Sequence, residues 1–145
     1  MLVRLLYASR AGEKLGNAEI DAIIARSRAV NPEHGITGVL CYSGELFMQV
    51  LEGGRAEVNA LYSDIVRDPR HHDVVLLDYA EVAERRFAGW TMGRVNLSKV
   101  NPSLLLKYSE RPQLDPYAMS GKVSLALLEE LISTAAIIGR SESEG

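Results

Sequence analysis

Residues 47–51, Phe-Met-Gln-Val-Leu, put apolar side chains on both faces of one extended segment. Successive strand residues point to opposite sides, so Phe47, Gln49 and Leu51 share one face while Met48 and Val50 share the other. A strand that is apolar both ways is covered both ways, which requires layers above and below a sheet. The long amide in its middle must find a partner, since a buried unsatisfied polar group costs roughly 1–3 kcal/mol. Gln49 is thus a core position that carries a polar obligation.

Turn residues divide the rest of the first hundred positions. A strand is expected over 2–9, with Leu5, Tyr7 and Ser9 on one face and Arg4, Leu6 and Ala8 on the other. Asn17 is a suitable cap for a helix running to about Ala29, and Pro32 helps end it. Strands at 38–42 and 46–52 flank Ser43-Gly44 as a hairpin. Gly53-Gly54 turns the chain into a helix over 55–67, where Val58, Leu61, Tyr62, Ile65 and Val66 follow the helical period. Asp68-Pro69 stops that helix before a strand at 74–77. The order βαββαβ predicts an α+β, ferredoxin-like fold: two helices on one face of an antiparallel sheet, with a fifth strand near 92–95. Residues 1–97 form that domain, and 98–139 a C-terminal helical extension. The extension holds a short helix from Asn101-Pro102 to Tyr108, a proline-containing loop over 111–116, and a helix over 122–138. The polar tail 140–145 is expected to be flexible.

The first helix repeats the problem posed by Gln49. Ile20, Ile24, Ser27 and Asn31 lie along one stripe, which begins apolar and turns polar at its end. Asn31 is explained either by bonds to nearby loop backbone or by a ligand. A structural network would satisfy Gln49; with Tyr7 on a neighbouring strand, a planar ligand rich in acceptors is the alternative, its apolar faces packed against Ile24 and Ile65. Residues 67–73 read as a solvated loop; adjacent His71 and His72 diverge and make a poor metal pair. Trp90 and Met92 read as core residues of a late strand, and Cys41 as a small buried hydrophobe.

The net charge of −3 over 145 residues offers no footprint for nucleic acid. No apolar run approaches the roughly 20 residues of a membrane span. One cysteine excludes an internal disulfide, so a cytoplasmic setting is expected.

Three stretches together resemble the flavin-binding blue-light sensors called BLUF domains. They are residues 31–43 (NPEHGITGVLCYS), 47–53 (FMQVLEG) and 84–92 (ERRFAGWTM), taken with Tyr7. Residues 106–109 and 116–119 are similar to short members of that family that carry no effector domain. The resemblance implies a non-covalent flavin, usually FAD, with FMN or riboflavin as alternatives. It implies that Tyr7 gives an electron and a proton, that Gln49 relays the proton, and that Asn31 holds the flavin's polar edge. Ile24, Ser27 and Ile65 would contact the ring, and Asp68, Arg70 and His71 its pyrimidine side and phosphates. Trp90 or Met92 would stand beside the glutamine. Val30 departs from the family pattern, since many relatives carry Asn or His there. The implied protein is a light sensor and no enzyme. It would form a dimer or larger ring and signal to a response-regulator-like partner through a surface on its last helix. An acyl-phosphate hydrolase on the same fold, and a ligand-free or RNA-binding interaction module, are the alternatives.

Overall fold

The computed structural model describes residues 1–11 and 16–134. Five strands form one sheet: β1 (Leu2–Ala11), β2 (Thr37–Ser43), β3 (Leu46–Gly54), β4 (His71–Glu81) and β5 (Gly93–Asn96). Helices α1 (Asn17–Val30) and α2 (Arg55–Arg67) cover one face. Helices α3 (Pro102–Tyr108) and α4 (Gly121–Ser133) cover the other. The spatial order is β4-β1-β3-β2-β5, which places the doubly apolar β3 in the centre.

The alternation in β3 sorts the core into two halves. Phe47 and Leu51 join Leu5, Tyr7, Ile20, Ile24 and Val58 beneath α1 and α2. Met48 and Val50 join Leu6, Val39, Cys41 and the leucines 127, 128 and 131 of α4. The extension therefore completes the sheet's second cover with a shared core. Removing its last helix would expose that apolar face to water. Within α4, Leu127, Leu128 and Leu131 are buried, whereas Ile138 lies outside the described residues, as does the tail 140–145.

Several expectations need correction. The sheet is mixed: β1, β3, β2 and β4 pair antiparallel, but β5 lies parallel to β2. Residues 82–92 cross one end of the sheet from the β4 edge to the other edge, so β5 runs opposite to β4 and in the same sense as β2. Asn17 is the first residue of α1 and no side chain caps it; Gly16 occupies the cap position. Val66 faces solvent at 49% exposure, while Val58 on the same helix is buried. The last helix starts one residue earlier than expected, with the Ser120 hydroxyl accepting from the Val123 amide.

The largest difference is β4, which begins at His71 and runs eleven residues. Residues 71–73 are strand, not a solvated loop, and His71 pairs with Ala11 of β1. Two register shifts interrupt β4 against β1, one between Ala8 and Arg10 and one between Leu6 and Tyr7. At the first, Asp73 takes a positive φ of 50°, as an extra bulge residue does. At the second, Leu77 is the extra residue, and its carbonyl lies so close to Gly121 that any Cβ there would sit 2.1 Å away. Only glycine lets α4 start against β4.

Candidate functional site

Tyr7 and Gln49 are direct cross-strand neighbours on β1 and β3. Their side chains share the face beneath α1 and α2, and the Tyr7 hydroxyl donates to Gln49 Oε1 at 2.6 Å. On its other side the Gln49 amide donates from Nε2 to Met92 Sδ at 3.3 Å. Met92 itself is held by α1, since Arg28 Nε donates to the Met92 carbonyl at 3.1 Å. A line of contacts thus runs from phenol to amide to thioether, all buried. Burial, helped by the neighbouring Tyr62 and Asp68, pushes the Tyr7 phenol well above its ordinary pKa. A phenolate is therefore excluded near neutral pH.

A cleft of about 350 Å³ opens between α1 and α2 above this line. Its floor contains Tyr7, Gln49, Leu40 and Phe47, and its walls include Ile23 and Ser27 of α1 and Leu61 and Ile65 of α2. Arg26, Asp64, Asp68 and Arg70 stand in its lining as the charged group. Arg70 and Asp68 form a two-point pair, Nε to Oδ1 at 3.1 Å and an Nη to Oδ2 at 2.6 Å. That guanidinium holds the Asp68 carboxyl below the usual carboxylate range.

Asn31 sits where α1 gives way to a short 3-10 turn and is only 5% exposed. Its backbone carbonyl accepts from the Ile36 amide at 2.9 Å. Its side chain makes no hydrogen bond among the described residues and lines the cleft. The local backbone thus uses the Asn31 carbonyl and leaves the side-chain amide facing the cavity. A buried amide aimed into a cleft with apolar walls suits a flat heteroaromatic ligand with donors and acceptors along one edge. An isoalloxazine has that form, so the residues present fit a flavin.

His71 closes one end of the floor. Its Nδ1 pairs with the Ser9 hydroxyl at 2.8 Å, and its ring lies 5.1 Å from that of Phe47 and 6.2 Å from that of Tyr7. Burial lowers the His71 pKa below its usual value, which keeps the imidazole neutral at pH 7. No group of His, Cys, Asp or Glu suited to a metal ion occurs among the described residues. Cys41 is fully buried on the other face, and burial alone pushes its thiol up to about 12.

The cleft gathers Tyr7, Ser27, Asn31, Gln49, Ile65, Asp68, Arg70 and His71, with Val30 beside them. Ile24 stands apart: it is buried in the core below, and Ile23 faces the cleft instead. The stripe through Ile20 and Ile24 packs on the sheet. The neighbouring stripe Ile23, Arg26, Ser27, Val30, offset by one residue, forms the wall. Ile23 and Arg26, which sequence reasoning passed over, were marked only by that second i, i+3, i+7 series. Trp90 and Met92 separate as well. Met92 packs in the half-core beneath α1 and α2, whereas Trp90 packs with Phe87 and the leucines of α4. The residues between them are not extended, so two positions apart does not mean the same face.

Comparison with known proteins agrees with this geometry. A family model described as BLUF, sensors of blue-light using FAD, matches residues 2–93. The photoactivated adenylate cyclase subunit beta of Euglena longa is 38% identical over 92 residues, 63% of this chain and 11% of that protein. The blue light- and temperature-regulated antirepressor BluF of Escherichia coli (strain K12) is 35% identical over 89 residues, 60% of this chain and 22% of that one. The chain therefore spans only a small part of the length of these curated relatives. Two solved structures match nearly end to end. BlsA in its photo-activated state gives a TM-score of 0.80 at 31% identity, covering 91% of this chain and 95% of that one. The dark-state structure of the BLUF protein BlrB gives 0.74 at 34% identity, covering 92% and 96%. With the cleft, its buried phenol–amide pair and these matches in agreement, the chain belongs to the BLUF family of flavin-based blue-light sensors.

Proposed function

We propose that the cleft holds a flavin, FAD by the family's habit, and that light changes the orientation of Gln49. When bound, the flavin supplies a light-excited electron acceptor. Asn31 would hold its polar edge, Ile23 and Ile65 its faces, and Arg26, Arg70 and Asp68 its outer polar groups. FMN or riboflavin would engage the same inner residues and leave the outer ones less used.

The protein's own part follows from burial. Tyr7 resists simple deprotonation, so an electron leaves it readily only if its proton leaves too. Gln49 Oε1, 2.6 Å from the hydroxyl, is the acceptor in place for that proton. Returning the proton and electron restores Tyr7 and leaves the amide able to settle in either of two arrangements. In the arrangement described here Oε1 faces Tyr7 and Nε2 faces Met92. A thioether is a weak acceptor, so rotating the amide or changing its tautomer sacrifices little on that side. Two arrangements of similar free energy are what a switch requires. The change reaches Met92 and the segment leading into β5. Output then passes to a protein partner of response-regulator type, or through self-association into a dimer or ring. The part-exposed Val123, Leu125 and Ile132 of α4 and the exposed Leu106 of α3 supply apolar surface for such contacts.

The Tyr7–Gln49–Met92 line carries this reading. Its test is the visible spectrum of the flavin-loaded protein before and after blue light. The wild type should show a reversible red shift. Tyr7→Phe should bind flavin equally and lose the shift; a normal photocycle in that variant would overturn the assignment. Neither the hydrolase nor the ligand-free alternative has a comparable observation behind it.

A further inference from the structure

Gln49 has a counterpart three residues on, on the opposite face of the same strand. Glu52 is fully buried beneath the sheet. Its carboxylate accepts three hydrogen bonds: from Arg4 Nε at 2.8 Å, from the Arg86 amide at 3.0 Å and from the Phe87 amide at 2.7 Å. One side chain of β3 therefore ties down two consecutive backbone amides of the segment between β4 and β5. Bonds from backbone N–H to a carboxylate are among the stronger kind, and here they are shielded from water.

The tie sits five residues before the switch methionine, and the chain between is held at each step. Phe87 is buried in the lower core, and its carbonyl accepts from the Trp90 amide at 3.0 Å. The Trp90 carbonyl accepts from the amide of Gly38, on β2, at 2.9 Å. Gly38 is next to Thr37, the cross-strand partner of Glu52, and Arg85 donates to the Thr37 hydroxyl at 3.0 Å. The segment is thus fastened below the sheet at Arg86 and Phe87 and crosses to deliver Met92 above it. The two amides satisfy the carboxylate lone pairs that Arg4 leaves free, so the buried charge and this stretch of backbone hold each other in place.

Resting on the reading of Gln49 and Met92 as the switch, we infer that Glu52 is its positioning residue. Through the amides of Arg86 and Phe87 it sets where the Met92 sulfur stands, and so how strongly one orientation of Gln49 is favoured. Gln49 and Glu52 then divide one strand between a group that turns and a group that must not.

The test is a double-mutant cycle on the flavin-loaded, full-length chain, read as the lifetime of the red-shifted state in darkness. Glu52→Gln replaces one acceptor oxygen by a donor, and Met92→Ala removes the sulfur. Each should lengthen that lifetime by about tenfold, within the range for coupled neighbours, because the arrangement to be regained has lost a partner. Combined, they should lengthen it no further than the larger single effect. The thermal midpoint should fall by the same amount when Glu52→Gln is made in either background, which separates positioning from plain destabilisation. If Glu52→Gln leaves the lifetime unchanged while Met92→Ala alters it, or if the two factors multiply, the inference is wrong. If Met92→Ala is silent, the switch reading fails first and takes the inference with it. Should Glu52→Gln not fold, Glu52→Asp keeps the charge opposite Arg4 but is too short to reach both amides, and the same outcomes apply.

Discussion

The two faces of the sheet use the same strands for opposite ends. Beneath α3 and α4 the packing is dry and, apart from the Ser124 hydroxyl, every buried side-chain polar atom described there has a partner. Beneath α1 and α2 the core opens into a cleft, where Tyr7 holds Gln49 firmly on one side only. Gln49 leans on a sulfur and Asn31 points into the cavity. Stability and responsiveness are thus separated by the thickness of one sheet. A side chain that must choose between two positions cannot also be firmly satisfied in one.

Breaking the dry face should give the largest effect. Leu128→Ala removes a fully buried side chain beneath the sheet and should cost about 2–5 kcal/mol in denaturant unfolding. Its flavin spectrum should keep the wild-type shape wherever the protein stays folded, since the cleft is on the other side. On the open face stability should hardly change. Asn31→Leu should leave the stability of the flavin-free protein within about 0.5 kcal/mol of wild type, because the side-chain amide opens on the cleft and is not sealed off without a partner. The same change should weaken flavin binding, measured by titration. A loss of apo stability would show that Asn31 is satisfied by protein after all.

The comparison sharpens with pH through His71. Its folded pKa lies below the unfolded value of 6.5, so the unfolded chain binds the extra proton first as pH falls. The stabilisation is complete above about 6.5 and is lost as pH drops through the depressed folded value. His71→Phe should flatten that part of the stability curve and leave the region above it little changed. The smallest effect belongs to Val66→Ser on the outer surface of α2, expected within about 0.5 kcal/mol of zero by thermal unfolding.

The layered order was readable because punctuation and alternation are local. Gly53-Gly54, Asp68-Pro69 and the two-faced pattern of β3 mark their own positions. What escaped depends on contacts between distant residues. His71, His72 and Asp73 are polar, so nothing in them announces strand; β1 recruits the two histidines by pairing, and Asp73 follows as the bulge residue. Four residues of β5 carry no mark of direction, and its parallel pairing with β2 follows from the path of residues 82–92. Adjacent isoleucines 23 and 24 look alike to any hydrophobic pattern, and only the angle at which α1 lies on the sheet sends one to the core and one to the cleft. Tyr7 and Gln49 stood out as chemistry, but their contact depends on a register that the sequence does not print.

The kinks in β4 have a consequence for how the molecule survives at high concentration. That strand is the outer edge of the sheet, eleven residues long, and shows Val75, Leu76 and Tyr79 to solvent. A straight edge of that composition would be a template onto which other chains add, the first step toward fibres. Displacements at Asp73 and Leu77 break its regular spacing of donors and acceptors, so an incoming strand finds no long run to match. Straightening that margin would give incoming chains an unbroken template on which to seed aggregates.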